Sequence, residues 1–228
     1  MASPHIGTLQ ERSLHAAVKD WYARPGDRTE TEVDGYVVDL VREGELIEIQ
    51  TGGFAPLRRK LDELTRAHRV RLVHPIATEK WILRVEADGQ TPIGRRRSPK
   101  RGRPEDVFEH LVSIPHLMER QHFTLQLLMI REEEVRRFDG NGGWRHPEWT
   151  RLDRRLIDVV AQRDLVAPDD CRAFLPASMP RPFTNRDLAA AADLRLSLAG
   201  KLTYCLRKMG VLEVVGKVGN SQLHAEPA

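Results

Sequence analysis

The chain has 228 residues, 40% of them hydrophobic and 30% charged, with a net charge of +3. That composition predicts an ordinary globular protein of one large domain or two small ones. It excludes a disulfide scaffold, since Cys171 and Cys205 are the only cysteines and form no CxxC pair, and no apolar run approaches membrane-spanning length.

The start of the chain lacks the layout of a signal peptide, and the free cysteines suit a reducing, cytoplasmic compartment. Residues 8–22 predict an amphipathic helix with Leu14, Ala17, Val18 and Trp21 on its apolar side, ended by Pro25-Gly26. Short β segments follow at Thr29–Asp34, Gly35–Val41 and Leu46–Gln50, with a turn at Glu43-Gly44. After Thr51-Gly52-Gly53, a second helix buries Phe54, Leu57, Leu61 and Leu64. Val70–Val73 and Trp81–Val85 are expected as two separate strands. The order α-β-β-β-α-β predicts a mixed sheet flanked by helices.

The Arg-, Gly- and Pro-rich stretch 94–104 predicts a loop, Val107–Val112 a helix, and Phe123–Ile130 a buried strand running into Arg131–Arg137. The glycine cluster at 139–143 is the strongest break, so a domain boundary is expected there, dividing the chain into 1–140 and 150–226. Beyond it, Leu152–Ala161 is expected to be helical, Pro176, Pro180 and Pro182 mark a connector, and Asn185–Ala192, Leu196–Met209 and Val211–His224 predict helix, helix and hairpin.

Charge is unevenly spread. Residues 1–88 carry 13 Lys/Arg against 15 Asp/Glu, a balance of −2. Arg95, Arg96, Arg97, Lys100, Arg101 and Arg103 form a run of six cations with no acid, and residues 181–224 carry 7 Lys/Arg against 3 Asp/Glu, a balance of +4. Cationic segments beside an acid-bearing domain suit a phosphate-rich partner such as DNA.

Four positions carry the chemistry. Glu11 lies on the inward-tending side of the first helix, Asp39 sits inside the apolar run Val37–Val41, and Glu48 and Gln50 leave one face of their strand while Ile47 and Ile49 leave the other. If the strands pair as a hairpin, Asp39 converges with Glu48. Two carboxylates about 4 Å apart repel by roughly 4 kcal/mol at an effective dielectric of 20, so a hard divalent cation, Mg2+ or Mn2+, is their natural occupant. His15, one turn after Glu11, is a candidate to lie beside them.

Glu11, then Asp39, then Glu48-Ile49-Gln50 in this element order resembles the PD-(D/E)XK nuclease superfamily over roughly residues 6–75. The resemblance implies a restriction-endonuclease-like α/β fold and phosphodiester hydrolysis. It also implies metal ligation by Asp39, Glu48, the backbone carbonyl of Ile49, and Glu11. The third motif position is usually lysine. Gln50 can only hydrogen-bond and orient, and Lys60 or Lys80 is the candidate substitute.

The tail from about residue 152 to 226 resembles a winged helix-turn-helix. That likeness implies DNA contacts by Lys201, Tyr204 and Lys208 of the second helix, with Lys217 at the hairpin tip. The sequence thus points to a metal-dependent DNA endonuclease, acting as a homodimer if it cuts both strands. A non-catalytic DNA-binding regulator with a degenerate nuclease fold is the alternative. A scaffold that docks an acidic protein on Arg95–Arg103 ranks third.

Overall fold

The structure, a computed structural model, describes residues 6–142 and 148–227, and of residues 6–13 it describes the backbone alone. Helix α1 (Ile6–Tyr22) leads into strands β1 (Arg28–Val33), β2 (Tyr36–Arg42) and β3 (Glu45–Ile49). Two-residue turns join them, Asp34-Gly35 and Glu43-Gly44, with φ of 49° and 79° in the first and 47° and 79° in the second. Positive φ at both central residues is the type I′ geometry that matches the twist of paired strands. The turn expected at Glu43-Gly44 is therefore present.

Helix α2 (Arg58–Leu64) follows a 3-10 turn at Ala55–Leu57, and the chain returns as β4 (Arg69–Val85). The two strands expected within this span are one. β3 covers one edge of β4 along Arg69–Val73, and β5 (Pro92–Arg97) covers the same edge along Trp81–Val85. β6 (Phe123–Phe138) pairs in parallel with the opposite edge over nearly its whole length. With partners on both sides, the polar middle of β4 at Thr78–Lys80 has no reason to break the strand. The Arg-rich stretch is likewise corrected: residues 92–97 form a strand, because Trp81–Val85 offers them a free edge.

Helix α3 (Phe108–Leu111) precedes β6, and β7 (Trp149–Leu165) pairs antiparallel with β6. Two expectations fail here. Residues 152–161 are strand, since fourteen positions of β6, from Leu125 to Phe138, each find a partner on β7. The described part of the glycine break, residues 139–142, follows β6 directly and is closed by Asp139 N–H donating to Glu148 O (3.1 Å), so the sheet continues past the boundary expected near 140. Gly143 lies outside the described residues. The sheet order is β1-β2-β3-β4-β6-β7, with β5 beside β4.

The C-terminal elements are α4 (Pro168–Arg172), α5 (Asn185–Ala191), α6 (Leu196–Lys208) and the hairpin of β8 (Glu213–Val218) and β9 (Ser221–Ala225). Thr184 caps α5 as expected. Its hydroxyl accepts from Asp187 N–H, and the Asp187 carboxylate accepts from Thr184 N–H.

Two apolar clusters flank the sheet. The smaller sets Leu14 and Val18 of α1 on Leu40, Ile47, Ile49, Val73, Leu128 and Ile130. Trp21, expected on that buried side, is 45% exposed. The larger cluster runs from Leu46, Leu61 and Leu72 through Phe108 and Leu111 into Leu198, Leu202, Cys205 and Leu206 of α6. The C-terminal helices thus share one core with the sheet. The protein is a mixed α/β structure, a large mixed sheet with helices on both faces. Among the described residues no helix is long and apolar enough to cross a membrane.

Candidate functional site

The antiparallel register of β2 and β3 pairs Arg42 with Glu45, Val41 with Leu46 and Leu40 with Ile47, and one further step sets Asp39 opposite Glu48. There the ladder gives way. Ile49 N–H donates to Asp39 Oδ2 (2.8 Å), a side chain taking the place of a strand carbonyl. α1 delivers His15 to the same oxygen, its Nε2 at 3.2 Å. Burial pushes the Asp39 pKa up, but the His15 ring and the Ile49 amide outweigh it and hold the carboxyl below its usual range. His15 is raised in return, by the hydrogen bond to Asp39 against the effect of its own burial.

Glu48 alternates with Ile47 and Ile49 and so leaves the opposite face of β3, where α2 lies. Lys60 of α2 sets its ammonium 2.6 Å from Glu48 Oε2 and 2.6 Å from the carbonyl of Val37. Both side chains of this pair are only 12% exposed. Burial raises the Glu48 pKa, Lys60 opposes that, and the Asp39 charge adds to the rise. The two carboxylates therefore feel each other, and each has a basic partner from a different helix.

Gln50, expected to face the carboxylates, is turned elsewhere. Its side-chain amide donates to Gly53 O (2.6 Å), closing the turn into α2, and its backbone carbonyl accepts from His74 Nδ1 (2.6 Å). Of the two candidate substitutes, Lys60 meets the site and Lys80 does not. Lys80 lies 2.7 Å from Glu132 Oε1 and 3.0 Å from Glu134 Oε2. Glu11 belongs to α1, but its side chain lies outside the described residues. Among the described residues no group of three or more His, Cys, Asp or Glu side chains is arranged to hold a metal ion.

The residues expected to meet nucleic acid fall into three places. On β5, Arg95 pairs with Glu133 (2.7 Å) and stacks over Trp81, and Arg97 pairs with Glu79 (2.7 Å). Arg101, just beyond β5, stands 3.8 Å from Glu79. Arg96 and Lys100 are exposed. On α6, Lys201 is ion-paired with Glu109 of α3, while Tyr204 and Lys208 line a cleft of about 540 Å3 facing Arg58, Pro115 and His116. Lys217 is exposed on β8. Of the α6 face expected to enter a groove, Lys201 is thus tied to the body of the protein, while Tyr204 and Lys208 stay exposed.

Sequence reasoning missed a second polar centre. Glu132, fully buried on β6, is clamped by Lys80 of β4 and by Arg154 of β7 (2.6 Å). Lining the same cleft as Glu132, the His74 ring meets those of Phe54 and His110 edge to face, centred 5.0 Å from Phe54 and 5.1 Å from His110. Complete burial drives the His74 pKa down to about 4, so the ring is neutral at pH 7. The available signal was Glu132 and Glu134, two acids at strand spacing in the charged continuation of the strand expected to be buried over Phe123–Ile130.

A family model for a domain of unknown function (DUF8091) matches residues 12–166, the span from α1 to the end of β7. An uncharacterized protein of Treponema pallidum (strain Nichols) is 29% identical over 226 residues, covering 96% of this chain and 86% of its own length. That similarity continues through the C-terminal elements. No solved structure matches.

Proposed function

The chain belongs to the DUF8091 family, and we propose that it is a metal-dependent DNA endonuclease of the PD-(D/E)XK type with its reaction centre at Asp39 and Glu48. The observation that carries this reading is the pair of carboxylates where the β2–β3 ladder opens, Glu48 buried and Asp39 half-buried, with the Lys60 ammonium seated on Glu48 Oε2 and Val37 O. An oxygen-lined position that already holds a cation suits another. Few protein ligands suit Mg2+ in particular, which takes its remaining ligands from water and phosphate.

Asp39, Glu48, the Ile49 carbonyl and Glu11 would hold Mg2+ or Mn2+. The ion supplies a polarised phosphodiester oxygen and a water of lowered pKa. His15 keeps Asp39 ionised and oriented. Lys60, once displaced from Glu48, offers positive charge to the phosphate under attack. Gln50 shapes the turn that aims α2, and so Lys60, at the site. In this reading α5, α6 and the β8–β9 hairpin form a winged helix-turn-helix that binds DNA in the cytoplasm. Lys217 of the hairpin, with Arg96 and Lys100 on and just beyond β5, supplies the freest phosphate contacts, and a homodimer cuts both strands.

A second reading is favoured by one observation: Gln50 is committed to Gly53 O and Lys60 to Glu48. A site so tied off suits a non-catalytic DNA-binding protein. Plasmid nicking separates the two. The nuclease reading expects relaxation of supercoiled DNA with Mg2+ or Mn2+ that chelator abolishes, that Asp39→Ala abolishes, and that Lys60→Ala lowers by 10²-fold or more. Clean protein that binds DNA and leaves it intact with both metals decides for the second.

A further inference from the structure

A cleft of about 610 Å3 lies between the sheet and the C-terminal elements, within the usual size range of small-molecule sites. Its floor is β4 from His74 to Ala77, with Lys80, Glu132 and Arg154 at the back. One rim is the segment 100–103 and the other is the α5–α6 turn at 193–195. Six cations line it against three acids, and two of those acids are already engaged. Glu132 is held by Lys80 and Arg154, and Asp106 accepts from Arg103 N–H (3.0 Å).

Two of the rim cations are weakly tied: Arg101 stands 3.8 Å from Glu79 and Arg195 3.4 Å from Glu109. These exceed the 2.7–2.9 Å of a strong charge-assisted bond, and the two arginines are 56% and 73% exposed. Such pairs contribute little, and a guanidinium with five donors can keep its acid while binding an anion. Arg103 instead spans the rims, its guanidinium donating to Asp193 O (2.8 Å) and Ala192 O (3.0 Å) and standing 3.3 Å from Glu105. No ion pair engages Lys100 among the described residues.

Two further features point to an anion. α6, thirteen residues long, begins at Arg195 with no side chain capping its first turn and no acid within it. Arg195 and Leu198 both line the cleft, so the positive end of the helix opens into it. The opposite rim is fixed. Gly102 N–H donates to Ala77 O (2.7 Å), and a Cβ at Gly102 would fall 2.7 Å from that oxygen. Only glycine lets this segment lie directly on β4.

We propose that this cleft binds a phosphate-bearing small molecule of nucleotide size. Its phosphates would lie on Lys100, Arg101, Arg195 and the α6 N-terminus, with Arg103 holding the two rims together, and its ring system against His74, His110 and Leu198. The site is separate from the carboxylate locus and does not depend on cutting activity there. The liganded cleft ties the sheet to the C-terminal helices.

Titration calorimetry on the full chain, at low salt and without divalent metal, tests it with ATP, pyrophosphate, adenosine and a single-stranded oligonucleotide. The expected result is saturable binding of one ATP per chain, weaker pyrophosphate and no measurable adenosine. The double variant Lys100→Ala/Arg101→Ala weakens ATP at least tenfold with an unchanged melting temperature. Gly102→Ala, which lifts the rim, also weakens it, while Arg28→Ala on β1 and Asp39→Ala leave it intact. The proposal is overturned by no saturable binding of ATP or pyrophosphate, by equal affinity in the double variant, by adenosine binding as tightly as ATP, or by an oligonucleotide that binds where no mononucleotide does.

Discussion

His15 and His74 answer to pH in opposite directions. His15 gains a carboxylate partner, so its folded pKa stands above the model-peptide value near 6.5. Its contribution is full below that value and fades as pH rises through the raised pKa. Asp39 contributes in the complementary sense, being lost only as pH falls below the carboxylate range. His74 is buried neutral with its pKa at about 4, so the unfolded chain takes up a proton that the folded chain refuses. Stability from this source is present above pH 6.5 and drains away toward pH 4, by about 3 kcal/mol for a shift of this size. Urea unfolding of His15→Gln is therefore expected to show a deficit larger at pH 6 than at pH 8. His74→Gln should flatten the loss of stability between pH 6.5 and 4, and an unchanged slope would remove His74 as its source. Glu132 is the third sensitive residue. Lys80→Met, which strips one of its two clamps, leaves a buried charge half compensated and is expected to cost about 3–5 kcal/mol.

Elements were legible in the sequence wherever local chemistry decides the conformation. The hairpin of β2 and β3 follows from Glu43-Gly44 and α5 from the Thr184 box, while Asp34-Gly35, placed within β segments from the sequence, forms the turn between β1 and β2. Glu43 is nevertheless a poor residue for φ of 47°. Glu43→Asn is expected to raise stability by about 0.5–1 kcal/mol, read as a melting temperature about 2 °C higher. What could not be read was decided by partners far away in sequence. The span 152–161 has charges that suit a helix surface, yet β6 supplies an unpaired edge and draws it into strand. The run at 94–97 becomes a strand for the same reason, and its arginines meet acids of β4 and β6 that sequence spacing does not bring near. At the carboxylate locus, the sequence named Asp39 and Glu48 and raised His15 and Lys60 as neighbours. It did not foresee that Gln50 would turn back to Gly53, because that contact depends on the path of the Gly52-Gly53 turn.

For the molecule as a whole, the end of the family match at residue 166 is not the end of a core. Leu111 and Phe108 belong to the same apolar cluster as Leu198, Leu202 and Leu206, and Phe108 packs edge to face on Phe174 at 5.2 Å. Scanning calorimetry is expected to show one cooperative transition for the full chain. A fragment ending at 166 should lose that transition and bind hydrophobic dyes, having bared the α3 side of the sheet. Two resolved transitions, or a fragment that melts sharply, would restore the division into independent domains.

The long parallel pairing of β4 with β6 also sets a clock. Val70 meets Phe123, 53 positions further on; that offset holds as far as Ala77 and becomes 52 from Glu79 onward. Contacts so distant must wait for loop closure, so refolding from urea is expected to take milliseconds or longer rather than microseconds. On a ribosome moving at about 5–20 residues per second, the first half of β4 emerges roughly 3–10 s before its partner. During that interval Leu72, Val73 and Ile76 present an unfinished sheet edge to the surroundings, and the nascent chain is then at its most vulnerable to association with its own copies.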